Sequence, residues 1–229
     1  MQVAARLTGT GLSFADPLDD VPFDVFNPFQ VANCSRLGFR PGLRARLVGG
    51  TTRSANAGLI AALRARSGDA NLRRVVVALP RAFQVDHRHL GNICSEGELA
   101  AKECAGRDAV GSVWARTPLL DEPLSGRVYA VSGSGGLPRL AIVLRGEITA
   151  VIRGDTFARN AQLRSVFGSI PDAPVSAFRL RVFNGKLGYL VLNRDVCRHR
   201  QFLTVRYVGQ NSKTRVHRIR LRTGCGRAR

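Results

Sequence analysis

Apolar and polar residues alternate along this chain with period two far more than they recur at helical spacing. In GLRARLVG, Leu43, Ala45 and Leu47 point one way and Arg44 and Arg46 the other. Val75, Val77 and Leu79 share a face. Phe178, Leu180 and Val182 lie opposite Arg179 and Arg181, and Ile219 and Leu221 lie opposite Arg218, Arg220 and Arg222. Gly, Pro, Asn and Asp break these runs at LVGG, SGSGG, SIPDAP, FNGK and GQNSK. Such alternation belongs to sheets with one face on a core and the other in water. It predicts an all-β chain packed as β-sandwiches.

The strands also repeat. PGLRARLVG (41–49) aligns with PRLAIVLRG (138–146), and DANLRRVVVAL (69–79) with DAPVSAFRLRV (172–182). Cys94 follows Asp69 at the same distance as Cys197 follows Asp172. The reading is an internal duplication with a period of about 100 residues, a whole small domain. The opening VAARLTGTG and the strand expected to end FQVANC at Cys34 align with the last hairpin of the second repeat, FLTVRYVGQNSKTRVHRIRLRTGC. The expected organisation is therefore a remnant hairpin of a preceding repeat over 1–29, one sandwich of immunoglobulin-like build over 30–133 and a second over 134–229. SGSGG is expected to be the turn between repeats.

That alignment sorts five cysteines. Cys197 and Cys225 are expected to bridge and close the final hairpin, while Cys34 is left as a free thiol whose counterpart would precede Met1. Cys94 has Cys104 nearby. Between them, Ser95 and Glu98 form the S-x-x-E of a capping box, and Leu99, Ala100 and Ala101 continue a helix. A helix filling the interval would hold the two Cα atoms about 15 Å apart, against the roughly 7 Å a disulfide allows. One short helix in a disulfide-closed loop is expected.

Two other uses of these cysteines compete with bridging. A redox pair would need Cys-x-x-Cys beside a βαβ unit, and neither occurs. Zinc would draw on His87, His89, Cys94 and Cys104, or on Cys197, His199, His217 and Cys225. Those spacings match no common finger or ribbon, and disulfides are the commoner use in a strand-rich chain of secreted type. No metal and no cofactor is expected.

Charge changes the picture most. The 229 residues include 35 Lys plus Arg against 16 Asp plus Glu, a net charge of +19, and only Lys102, Lys186 and Lys213 are lysines. One reading is arginine written by a GC-rich genome onto solvated strand faces. The other is a surface that attracts polyanions such as teichoic acid, acidic polysaccharide or nucleic acid, carried by Arg179, Arg181, Arg218, Arg220 and Arg222. An apolar fraction of 45% argues against disorder. Apolar runs such as VVVAL (75–79) are too short for a membrane-spanning helix. The chain as written opens without a basic segment followed by an apolar one, so no secretion signal is read in it and it is expected to be truncated.

Catalytic signatures are lacking: no G-x-S-x-G, Walker loop, G-x-G-x-x-G or H-E-x-x-H occurs. Asp86 beside His87 and His89 is expected in a solvated loop, and the Asp of SIPDAP is expected to shape a turn.

RTPLLDEPLSGRVYAVS (116–132), SIPDAPVSAFRL (169–180) and GQNSK before a terminal Cys resemble the repeat of large, secreted, multi-repeat proteins of high-GC Gram-positive bacteria. The resemblance implies an extracellular location and neighbouring repeats as partners, and no activity. Joined to the residue reading, it leads to a non-catalytic structural or adhesive module of a cell-surface protein. The alternative is an arginine-rich module that binds anionic polymers.

Overall fold

A computed structural model describes residues 2–12, 20–30, 33–88, 93–101, 104, 109–133 and 136–225, the first two segments as backbone. It divides the chain into two units, Met1–Leu37 and Gly38–Arg229. In the first, β1 (Gln2–Leu12) pairs antiparallel with β2 (Asp20–Gln30), from Gln2 opposite Gln30 to Leu12 opposite Asp20. The strand expected to end at Cys34 is described only as far as Gln30. Asn33 takes the left-handed conformation, which its short polar side chain tolerates, and turns the chain into a 3-10 turn at Cys34–Arg36. Cys34 belongs to neither disulfide.

The second unit holds β3 (Gly42–Val48), β4 (Gly58–Arg64), β5 (Leu72–Ala78), β6 (Phe83–Val85), α1 (Glu96–Ala100), β7 (Gly111–Arg116), β8 (Leu124–Val131) and β9 (Arg139–Arg145). It continues with β10 (Thr149–Arg159), β11 (Gln162–Phe167), β12 (Ala177–Val182), β13 (Leu190–Leu192), β14 (Phe202–Gly209) and β15 (Thr214–Arg220). Eleven of these strands make one sheet in the order β15-β14-β5-β11-β10-β9-β8-β7-β12-β4-β3, and every neighbouring pair is antiparallel. An odd number of alternating strands leaves the two edge strands running the same way. Their meeting is accordingly parallel: Leu47 N–H donates to Arg222 O at 2.8 Å and Arg222 N–H to Ala45 O at 3.1 Å. The sheet thus closes on itself as a barrel, which removes its exposed edges.

Two tandem sandwiches are therefore not what the chain forms. β5, from the expected first domain, lies between β11 and β14, and β12, from the second, lies between β4 and β7. SGSGG joins two hydrogen-bonded neighbours, β8 and β9, within one sheet rather than linking two domains. Alternation states that a strand has one buried face; a barrel wall and a sandwich layer meet that condition equally.

Inward positions carry the core, including Leu59, Leu63, Val128, Ile142, Leu203, Val205 and Tyr207. Outward positions carry arginine on many strands, the reverse of a membrane barrel, which turns apolar residues to lipid. No described helix is long and apolar enough to cross a membrane. At one end β6 pairs with β13, Val85 opposite Leu190 and Phe83 opposite Leu192, and these four buried side chains plug the barrel.

One stretch of outer wall is covered. Ser95 caps α1 by accepting from Glu98 N–H at 3.1 Å, while Glu98 Oε2 accepts from Ser95 N–H at 2.7 Å. Cys94 and Cys104 form a disulfide with Cα atoms 5.7 Å apart. Cys94, Leu99 and Cys104 pack on Tyr129 and Val131 of β8 and on Ala141 and Val143 of β9. Backbone bonds from Cys94 N–H to Ala130 O and from Ser132 N–H to Cys94 O dock this flap. The second disulfide, Cys197–Cys225, with Cα atoms 5.4 Å apart, clasps the β14–β15 hairpin beside the seam.

Candidate polyanion-binding face and barrel interior

The arginines singled out by alternation all project from the outside of the barrel. Arg179 and Arg181 on β12, Arg218 and Arg220 on β15, and Arg222 just beyond β15 are all exposed. Between these strands lie only β4 and β3. Register aligns them: Arg181 and Arg46 both sit opposite Ile60, Arg46 sits opposite Arg222 across the seam, and Arg179 and Arg44 both sit opposite Ala62. On the other side of β12, Arg181 faces Ser112, which faces Arg127. One level of the wall therefore reads Arg222, Arg46, Ile60, Arg181, Ser112, Arg127. With neighbouring strands about 4.8 Å apart, arginines on alternate strands stand about 10 Å from one another at Cα.

Two of these side chains lie against aromatic rings. The Arg218 guanidinium sits 4.2 Å from the centroid of Phe202, and that of Arg181 sits 5.9 Å from Phe183. Stacking holds a planar guanidinium while leaving its N–H edge open to an anion. Among the described residues, none of Arg44, Arg46, Arg179, Arg181, Arg218, Arg220 and Arg222 makes an ion pair. Every strand of the barrel carries arginine, and only β10 carries a carboxylate, Asp155. Arg44 and Arg46 extend the sequence-derived set. Their outward alternation was legible; their place between β12 and β15 was not.

The residues considered for metal and acid-base chemistry lie apart from this face. The four bridged cysteines are consumed by disulfides, and no cluster of three metal-ligating side chains occurs among the described residues, which exclude His89. His217 accepts a hydrogen bond from Arg215 at Nε2; burial, then the Arg215 charge, lowers its pKa. Asp86 corrects the solvated-loop expectation. It is buried, accepting from Arg88 Nε at 3.1 Å, Arg88 Nη2 at 2.8 Å and Asn56 Nδ2 at 2.6 Å. These bonds, led by Arg88 and opposed by burial, hold its carboxyl well below the usual carboxylate range. The group ties the β6 end to the β3–β4 connection, and its partners satisfy it structurally.

The interior was not foreseen. An eleven-stranded wall is wider than its own side chains can fill, as an eight-stranded one can. A cavity of about 400 Å³ remains, walled by residues such as Leu59, Val77, Ile142, Leu180 and Val205. Its rim is formed by 65–71 and 170–176, which Asn71 Nδ2 joins by donating to Asp172 Oδ1 at 2.8 Å. Side chains that leave such a space forgo packing partners.

Two phenols line this cavity, Tyr189 beside the plug and Tyr207 on β14, at 3% and 0% exposure. Neither hydroxyl has a hydrogen-bond partner among the described residues. Burial raises both above the ordinary tyrosine value, with Arg215 opposing at Tyr207, so both are neutral hydroxyls. The Thr156 and Ser165 hydroxyls, also in the lining, bond to each other at 3.3 Å. Comparison with protein-family models, curated proteins and solved structures finds no match.

Proposed function

We propose that the chain is a non-catalytic, adhesive module of a bacterial extracellular or cell-surface protein, and that it adheres through an anionic cell-wall polymer. The observation that carries this reading is the aligned arginine level from Arg222 through Arg46 and Arg181 to Arg127, none of it ion-paired among the described residues. A linear polyanion lying across the strands meets two neighbouring positive charges at the seam, Arg222 and Arg46, and then one on every second strand, with no carboxylate among them to repel it. Two disulfides support an oxidising compartment. Internal duplication remains part of the proposal: β4-β12-β7-β8 recurs as β11-β5-β14-β15, with the aligned strands β5 and β12 exchanged between halves.

The test is a salt titration on immobilised teichoic acid. Replacing Arg46, Arg181 and Arg222 by Ser is expected to lower the affinity at least tenfold at low salt. It should also flatten the log–log salt slope by about two to three, one step for each phosphate that the face no longer neutralises. Replacing Arg139 and Arg153 instead should change little, because both are paired with carboxylates. Equal losses in both variants would reduce the face to a general effect of net charge.

A further inference from the structure

We propose that the barrel interior is a second binding site, for a neutral, largely apolar small molecule that carries a hydrogen-bonding oxygen, such as a long-chain or isoprenoid alcohol, ketone or ester. Size, chemistry and polarity of the lining each bear on this. At about 400 Å³ the cavity falls in the range of small-molecule sites. It far exceeds the roughly 150 Å³ apolar cavity that suffices for benzene. Its wall draws on nearly every barrel strand, so the space follows from strand number and cannot collapse by one side chain shifting. Gly154 shows the wall being shaped: a β-carbon there would collide with the Phe167 ring, which turns inward over it.

The polar atoms define the ligand further. Apart from Arg66 and Asp69 at the rim, no charged side chain among the described residues lines the cavity, so an ion inside would lose its hydration without compensation. What the interior offers is two hydroxyls, Tyr189 Oη and Tyr207 Oη, buried and without a partner among the described residues. Native chains rarely leave such groups unsatisfied, and each can donate to or accept from a ligand oxygen. Tyr189 is positioned by the plug, where Asp86 N–H donates to Tyr189 O at 2.9 Å. Tyr207 is positioned by β14, opposite Val75 and Arg215. One of these lining residues thus stands beside the plug and the other in the wall, and either hydroxyl could take the oxygen of an otherwise apolar ligand.

Two neutral fluorescent probes test this on the full chain: Nile red, which has a carbonyl oxygen, and diphenylhexatriene, a pure hydrocarbon. Both are expected to bind saturably at one site per chain, Nile red with a blue-shifted emission. Tyr189→Phe and Tyr207→Phe keep the ring and remove only the hydroxyl. Each is expected to weaken Nile red up to about tenfold and leave diphenylhexatriene unchanged. Ile142→Trp, which projects an indole into the cavity and narrows it, should weaken both in a chain that still melts cooperatively. If that variant does not fold, the two Phe variants decide. Absence of saturable binding, or affinity for both probes left unchanged in a folded Ile142→Trp chain, overturns the site. Equal loss of both probes in the Phe variants overturns the hydroxyl anchor.

Discussion

Two stretches of the barrel's outer wall, similar in strand geometry, have opposite fates. Across β8 and β9 the outward residues Tyr129, Val131, Ala141 and Val143 are buried beneath the flap. Two arginines at its margin are committed: Arg139 bonds Asp155 at 2.7 Å and Glu96 at 3.1 Å, and Arg153 bonds Glu96 at 3.3 Å. Across β12, β4, β3 and β15 the outward residues include exposed arginines separated by Ile60 and Ala62, and these four strands carry no carboxylate. The difference separates charge used to hold the protein together from charge left open to a partner. Net charge alone makes no such distinction.

The largest expected effects come from cutting the two bridges, because they serve opposite sides of this contrast. In the chain-entropy picture, closing loops of 10 and 28 residues contributes about 3 and about 3.5 kcal/mol. Either loss should lower the melting temperature by about 10 °C. Cys94→Ser with Cys104→Ser should bare the apolar strip on β8 and β9 and promote self-association, while affinity for teichoic acid stays intact. Cys197→Ser with Cys225→Ser should fray β15 at the seam and weaken polymer binding without self-association. Light scattering and the salt titration on the two variants tell these outcomes apart. The same loss of polymer affinity in both would erase the contrast.

The same contrast marks what could be read ahead. Ser95 and Glu98 announced a capped helix, and the Cys94–Cys104 interval announced its brevity, because both rest on interactions within ten residues. Outward arginines on β12 and β15 were legible from period two. The covered strip had a trace too: LAIVL on β9 is apolar on both faces, as a strand between the core and a flap must be. Closure was not legible, since the seam joins Ala45 and Leu47 to Arg222, and alternation says nothing of which strand lies beside which. The cavity follows from strand count, so it shared that fate. Asp86 looked solvated beside two histidines because its partner Asn56 lies thirty residues earlier.

A carboxylate gives the next effect in size. Asp86→Asn removes the charge that Arg88 and Asn56 converge on, at an expected cost of about 2 kcal/mol at pH 7. Because the folded group's pKa is depressed, its contribution is full above the ordinary value of 3.8 and is lost as the pH falls below it. Urea unfolding of wild type and variant should therefore show a gap at pH 7 that narrows towards pH 2. A gap of constant size would mean that shape, not charge, is what Asp86 supplies.

The smallest effect probes the boundary between the two walls. Glu96 lies in the first turn of α1 and bonds both Arg139 and Arg153, with all three side chains partly exposed. Exposed pairs of this kind contribute about 0.2–1 kcal/mol, so Glu96→Gln should barely move the melting temperature. Its consequence should lie in binding instead. Arg153 loses its carboxylate and Arg139 keeps only Asp155, so about one more arginine becomes open to a polyanion. The salt slope on teichoic acid should steepen by up to about one, and the gain should vanish above physiological salt, where screening shortens the reach of surface charge to under about 8 Å. The measurement is a salt titration of wild type and variant side by side, with Asp121→Asn, in none of the ion pairs among the described residues, as a control for loss of one negative charge without freeing Arg139 or Arg153. If the control steepens the slope equally, polymer binding reads total charge and the distinction between paired and open arginines carries no function.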